Sequence, residues 1–273
     1  MFTVIITDCK ADNESGRQIA RFNSLDLGPS NLIGVESTFG EIPTIEASAN
    51  LIDVLDATDG RKGVVVVNVA PRGNKKNGEN GNYFCYFYHK ETLVISSTVG
   101  HTLFFVKIFD ICKKINILDT AKVLNYAYEK NLINKNQIEY ISRSQFRSFD
   151  FVPLVARWLT DNIVLPTSLS AIPKQKLPHI IWCIDAFGNC KLTITNKDQK
   201  IPNHFNKKGI IRTNLGNFVF YERLKDVPKG KTAVYIGSSG IDNIRFLEIA
   251  AQGIPGSAAD KLNLNIGDKI QLL

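Results

Sequence analysis

The run Gly63-Val64-Val65-Val66-Val67-Asn68-Val69 constrains this chain more than any other feature. A continuous β-branched apolar run with no polar alternation reads as a strand buried on both faces, and such strands occur in sheets covered by helices on either side. The flanking sequence supplies those helices. Ile45, Ala49, Ile52 and Leu55 fall on one face of a helix just before the run. The opening MFTVIITD and the segment NLIGV add short β-branched strands separated by a helical stretch through Ile19 to Phe22. These elements predict an α/β N-terminal domain with a mostly parallel central sheet. Further strands are expected at YFCYFY and ETLVISS, and helices at HTLFFVKIFDICKK, TAKVLNYAYEKN and FVPLVARWLTDN.

Leu165 to Pro178 hold three prolines, which exclude regular helix or central strand and read as a linker. Beyond it the character changes. HIIWCID, CKLTIT, GIIRTN, NFVFYE, TAVYIG and RFLEIA are short strand-like runs punctuated by Gly, Asn or Pro, the pattern of a small all-β, barrel-like domain. The expected division is residues 1–164, a linker at 165–178, and residues 179–273.

Composition narrows the function classes. With 44% hydrophobic residues, a 273-residue chain buries two cores. No stretch approaches the ~18 apolar residues of a membrane span. Met1 to Asp8 lack a basic region before the apolar run, so they read as a first strand and not a signal peptide, and the cytoplasm is the expected location. The five cysteines form no C-x-x-C pair and read as buried thiols. The formal charge of +7 is spread along the chain without a nucleic-acid motif, so neither nucleic acid nor membrane is expected as a partner. No metal-ligand spacing is present.

Two clusters carry candidate chemistry. Ile184-Asp185-Ala186-Phe187-Gly188-Asn189 puts a carboxylate, a ring and an amide at a turn. Such a group can hold an amino acid, the carboxylate taking the ammonium and the amide the carboxyl. It is equally an ordinary hairpin, since Gly-Asn is a common turn pair. The second cluster runs Tyr235-Ile236-Gly237-Ser238-Ser239-Gly240, Phe246-Leu247-Glu248-Ile249-Ala250, Gly256-Ser257-Ala258-Ala259 and Asn265-Ile266-Gly267-Asp268. At the other end Thr7-Asp8-Cys9 precedes Asp12 and Gly16. An Asp at the C-terminal end of a first strand lies where open α/β sheets bind ligands, although a lone Asp there also serves as a helix cap.

In this order the motifs resemble the S-adenosylmethionine hydroxide adenosyltransferase and fluorinase/chlorinase family, whose pattern is T-D-F-G with a following D and G, then I-D-x-F-G-N, G-S-x-G, L-E-I-A, G-S-A-A and G-D. The insertion before Phe246 is a departure. The resemblance spans nearly the whole chain and is faint between residues 20 and 140. It implies S-adenosylmethionine as substrate or ligand, with no other cofactor. Asp8 would hold the ribose with Asp12 nearby. Asp185 and Asn189 would take the methionine end, Phe187 and Phe146 would wall the pocket, and main-chain groups at Ala250 would read the adenine, with Ser239 and Glu248 in the surrounding motifs. It further implies a homotrimer with sites shared between subunits.

The catalytic set of that family is altered here. Hydrolytic members use an Asp, an Arg seven residues later, and a His in F-H-G-R-D. Aligned on Gly73, this chain has Val69 and Lys76 at the first two positions, and Phe146-Arg147-Ser148-Phe149-Asp150 puts Arg147 at the His. Valine accepts no proton. Phe146 and Ser148 are similar to the halogenating branch, whereas Arg72 stands where that branch keeps a Thr. Arg72, Lys75 and Lys76 either face the reaction centre or form a solvated loop. The P-D-N-G turn is replaced by Ser96-Ser97-Thr98-Val99-Gly100, followed by His101. Ser148, Arg147 and His101 are thus the candidate catalytic residues. The expectation is a protein that binds S-adenosylmethionine or adenosine and cleaves the former to methionine and adenosine by substitution at the 5′-carbon. The alternative is an inactive sensor or scaffold.

Overall fold

The computed structural model describes residues 1–36, 40–70, 83–198, 201, 209–253 and 257–273. Arg72, Gly73, Lys75, Lys76 and Gly256 lie outside the described residues. The chain divides into two compact units, Met1–Lys174 and Gln175–Leu273.

The first unit is built on a seven-stranded sheet of order β2-β1-β3-β5-β4-β6-β7. Its strands are β1 (Phe2–Thr7), β2 (Ser30–Gly34), β3 (Gly63–Asn68), β4 (Phe84–His89), β5 (Thr92–Ser97), β6 (Lys114–Leu118) and β7 (Ser168–Ala171). The valine run is β3, and Val64 to Val67 are at most 1% exposed. Each buried valine contributes on the order of 1.5–3 kcal/mol, so this strand anchors the unit. β1 pairs in parallel with β2 and β3, and β3 with β5. The β4–β5, β4–β6 and β6–β7 pairs are antiparallel. The sheet is therefore mixed and not mostly parallel. The cause is local: β4 and β5 are separated only by Lys90 and Glu91, a tight turn that can join antiparallel strands and no others.

Helices α1 (Asp12–Asn23) and α2 (Ile42–Thr58) connect the parallel strands. α2 is buried on most of its circumference, including Glu46 and Ser48, because α3 (Phe104–Ile108) packs against its outer side. The helix expected over HTLFFVKIFDICKK stops after these five residues, and Lys114 opens β6 instead. Asp110 takes a left-handed φ of 53°, which ends the helix, and the following β-branched KINIL pairs with β4. α4 (Thr120–Glu129), α5 (Lys135–Arg143), α6 (Arg147–Asp150) and α7 (Val152–Thr160) complete the unit. α5 starts with a capping box between Asn134 and Gln137. Part of the expected linker is ordered, since Ser168–Ala171 pairs with β6. Its flanking prolines fit because an edge strand leaves half of its backbone groups unpaired in the ladder.

The second unit is a six-stranded sheet of order β10-β11-β12-β13-β9-β8. The strands are β8 (Ile181–Ile184), β9 (Cys190–Thr195), β10 (Ile210–Thr213), β11 (Gly216–Tyr221), β12 (Thr232–Ile241) and β13 (Ile244–Ala251). Only β11 and β12 pair in parallel among the described residues. Among the described residues no ladder joins β8 to β10, so the sheet is open where a barrel was expected. Isolated bridges from Lys269 to Ile180 and from Leu272 to Thr213 touch both edges. The unit also contains α8 (Ala258–Leu262), a short helix capped by Ser257 and Asp260, which the all-β expectation omitted. No helix of the described residues is long and apolar enough to cross a membrane.

Candidate functional site

β1 has parallel neighbours on both sides, with β2 reached through α1 and β3 reached from β2 through α2. The strand order therefore reverses at the C-terminal end of β1, the position where open α/β sheets form a crevice. Asp8 occupies it. Its Oδ2 accepts the Ala70 N–H at 2.9 Å from the chain leaving β3. Asp8 is no helix cap, because Ala11 occupies the N-cap of α1 and provides no side-chain bond. Thr7 Oγ1 takes the Cys9 N–H at 3.1 Å and turns the chain sharply after β1. Burial first, and then the Asp8 charge, push the Cys9 thiol up to about 11, which keeps it protonated. Asp12 is the exposed first residue of α1, where its charge favours the helix dipole.

The same edge collects other groups. Glu36 follows β2 and pairs with Lys10 at 2.7 Å, while its N–H donates to Glu46 Oε2 at 2.9 Å. Glu46 is 5% exposed, and burial pushes its carboxyl up to about 7. His101, in the turn after β5, has its Nε2 at 3.1 Å from Glu41 Oε2. Its Nδ1 is enclosed and has no hydrogen-bond partner among the described residues. A ring with one nitrogen engaged and the other enclosed is set up to brace the turn, and the His101 N–H to Thr44 Oγ1 at 3.0 Å adds to that bracing.

Arg147 lies at this edge beside β4. Phe84 opens β4 and pairs with Ser97 at the end of β5, and the Arg147 guanidinium lies 5.6 Å above the Phe84 ring. Its Nη1 also donates to Thr120 Oγ1 at 3.4 Å, and burial pulls its pKa down. Ser148 is buried, with 4% exposed. Val69, where the resemblance puts an Asp, is 1% exposed. Phe146 stacks on Phe149 with centroids 5.5 Å apart and 15° between planes. Asp8, His101 and Arg147 thus share one sheet edge, though each is engaged by a different neighbour.

In the second unit the Asp185 carboxylate is largely spent on its own turn. Oδ1 accepts the N–H groups of Phe187 and Asn189, both at 2.9 Å, and Oδ2 accepts Asn189 Nδ2 at 2.9 Å. The hairpin reading of these residues therefore holds in this structure. The turn projects Phe187, which is 82% exposed. Gly188 has φ +72° and sits so close to Ser257 that an added Cβ would lie 2.0 Å from the Ser257 Cβ.

Behind the turn, Tyr235 and Glu248 face each other across β12 and β13, and the phenol donates to Glu248 Oε2. Burial, then Glu248 and Asp185, raise the Tyr235 pKa above its ordinary value. Gly237 is required here, since a Cβ would meet Glu248 Oε1 at 2.3 Å. Ser239 accepts from Lys191 Nζ at 2.5 Å, and Lys191 lies over the Trp182 ring at 5.4 Å. Ala250 is buried and pairs with Ala233. The sequence reading missed Lys191, Glu41 and Glu46 as site neighbours and named Tyr235 only as the start of a motif. Only Tyr235 left a signal, two residues before the Gly-Ser motif. Among the described residues no group of three or more His, Cys, Asp or Glu could hold a metal ion.

Residues 179–271 match the family model described as the SAM hydroxide adenosyltransferase C-terminal domain. Among solved structures, an uncharacterized conserved protein from Thermotoga maritima is similar, with TM-score 0.64, 19% identity and 98% of each chain covered. A conserved hypothetical protein from Thermus thermophilus is similar at TM-score 0.59 and 14% identity, covering 99% of each chain. At these identities the likeness is one of fold. No curated protein matches the chain.

Proposed function

We propose that this chain, whose residues 179–271 match the SAM hydroxide adenosyltransferase C-terminal domain, binds S-adenosylmethionine or its adenosine part. The observation that carries this reading is Asp8, a carboxylate at the strand-order reversal, oriented by the Ala70 N–H. With Oδ2 engaged, Oδ1 accepts only the weak Cys9 thiol donor at 3.8 Å and keeps a lone pair for a ribose hydroxyl. A homotrimer with shared sites is part of the same proposal and rests on the family resemblance.

The binding role is favoured over hydrolysis by Val69. Water attacking a 5′-carbon needs a proton acceptor, and the family resemblance puts Val69, a buried valine, at that position. His101 is tied to Glu41, and Arg147 is a cation. A second reading, cleavage to methionine and adenosine, is favoured by the desolvated Arg147 at the same sheet edge, where it can attract an anionic nucleophile. Calorimetric titration with S-adenosylmethionine, adenosine and methionine tests the binding role, and product analysis after long incubation separates it from cleavage. Binding without turnover supports the sensor. Turnover lost in Arg147→Ala supports the second reading, and no binding by any of the three overturns both.

A further inference from the structure

We propose that a cleft between α1, α5 and α6 binds an aromatic anion, meaning a planar ring that carries a phosphate or carboxylate, at a place that does not include Asp8. The cleft has a volume of about 610 Å³ and lies wholly within the first unit. That volume falls in the range of small-ligand sites.

Its wall is a layered stack. Arg17 and Arg21, one turn apart on α1, hold their guanidinium carbons 4.8 and 4.5 Å from the centroid of Phe149. Phe149 in turn stacks on Phe146. Arg143, at the end of α5, joins Arg17 in the lining, while Arg21 lies on the Phe149 ring outside it. None of the three arginines has a carboxylate within bridging distance among the described residues. The nearby acids do not neutralise them. Glu139 is one turn before Arg143 on the same helix yet does not bridge to it, and Asp150 accepts from Ser144 Oγ.

A guanidinium laid over a ring keeps its N–H edge free for a planar anion, and ring stacking limits the conformations it must give up on binding. Tyr140, 64% exposed on α5, presents a second aromatic surface to the same cleft. Cationic edges beside the exposed Tyr140 ring match a ligand with one anionic group on one flat apolar body, since stacking and bidentate hydrogen bonding are then both satisfied. A free phosphate would use only the arginines, and a neutral ring only the aromatic faces.

The test uses the full chain and a probe that carries no nucleoside. Naphthyl phosphate is titrated by fluorescence at low salt, with naphthoate as the carboxylate counterpart and naphthol and inorganic phosphate as the separate halves. The expected result is saturable binding of naphthyl phosphate or naphthoate, at least tenfold tighter than either half, weakened at least fivefold in Arg143→Ala and unchanged in Asp8→Ala. The tighter of the two anions identifies the headgroup. Arg143 is the decisive position because it is exposed and, among the described residues, makes no ion pair that folding would miss, while Arg17→Ala also removes packing from Phe149. Equal affinity in Arg143→Ala, displacement by adenosine, or naphthol binding as tightly as its phosphate ester would overturn the proposal, as would no binding at millimolar probe.

Discussion

Asp8 and Ala70 end adjacent parallel segments and are tied by one hydrogen bond, Ala70 N–H to Asp8 Oδ2 at 2.9 Å. That bond fixes the carboxylate at the only place in the sheet where a strand has a helix-linked parallel neighbour on each side, among the described residues. Asp8→Ala should weaken adenosine or S-adenosylmethionine binding by tenfold or more, the loss of about 1.5–3 kcal/mol expected for hydrogen bonds to a charged group. Calorimetric titration of both proteins reads it. Unchanged affinity would remove Asp8 from the site.

Tyr235→Phe should cost about 1–3 kcal/mol, because Glu248, 3% exposed, loses the phenol that donates to it in the interior. Urea unfolding of wild type and variant measures the difference. A change within error would mean that Glu248 recruits another donor at no cost.

Glu46 gives a pH dependence with a defined sign. Burial raises its folded pKa from the ordinary 4.5 to about 7, so the protonated form is favoured in the native state. Its stabilising contribution is fully present below 4.5 and is lost as pH rises through about 7. Glu46→Gln should therefore flatten this part of the stability profile and exceed wild type above pH 7. Denaturation curves taken across pH 4.5 to 8 check it, and parallel profiles for the two proteins would contradict the assignment.

Two glycines should respond in opposite directions. Gly16, inside α1, has nothing within 4 Å of an added Cβ, so Gly16→Ala should stabilise the chain by about 0.5–1 kcal/mol. Gly188→Ala meets both a left-handed φ of +72° and the Ser257 side chain, and should destabilise by about 1–3 kcal/mol. Thermal melts of both variants decide the matter.

Much of this arrangement was legible in the sequence, and the gaps have physical causes. The valine run marked β3 correctly because burial on two faces leaves no other composition. The HTLFFVKIFDICKK stretch misled because its aromatic spacing suits helix and strand alike, and the break at Asp110 is a left-handed residue that needs no glycine. Asp8 could be singled out because a carboxylate after a first strand is an informative position, whereas its bond to Ala70, 62 residues away, depends on strand order. The Tyr235–Glu248 pair was hidden for the same reason, since register across β12 and β13 brings the two residues together. Asp185 and Asn189 were correctly placed at a turn, but adjacency alone could not reveal that each would satisfy the other.

The most direct test of the central claim is to incubate the purified chain with an equal amount of S-adenosylmethionine, separate bound from free, and identify both fractions by mass-detected chromatography. S-adenosylmethionine or adenosine should be retained with wild type and lost with Asp8→Ala. Ligand found entirely in the free fraction, or retained equally by both proteins, would contradict that claim.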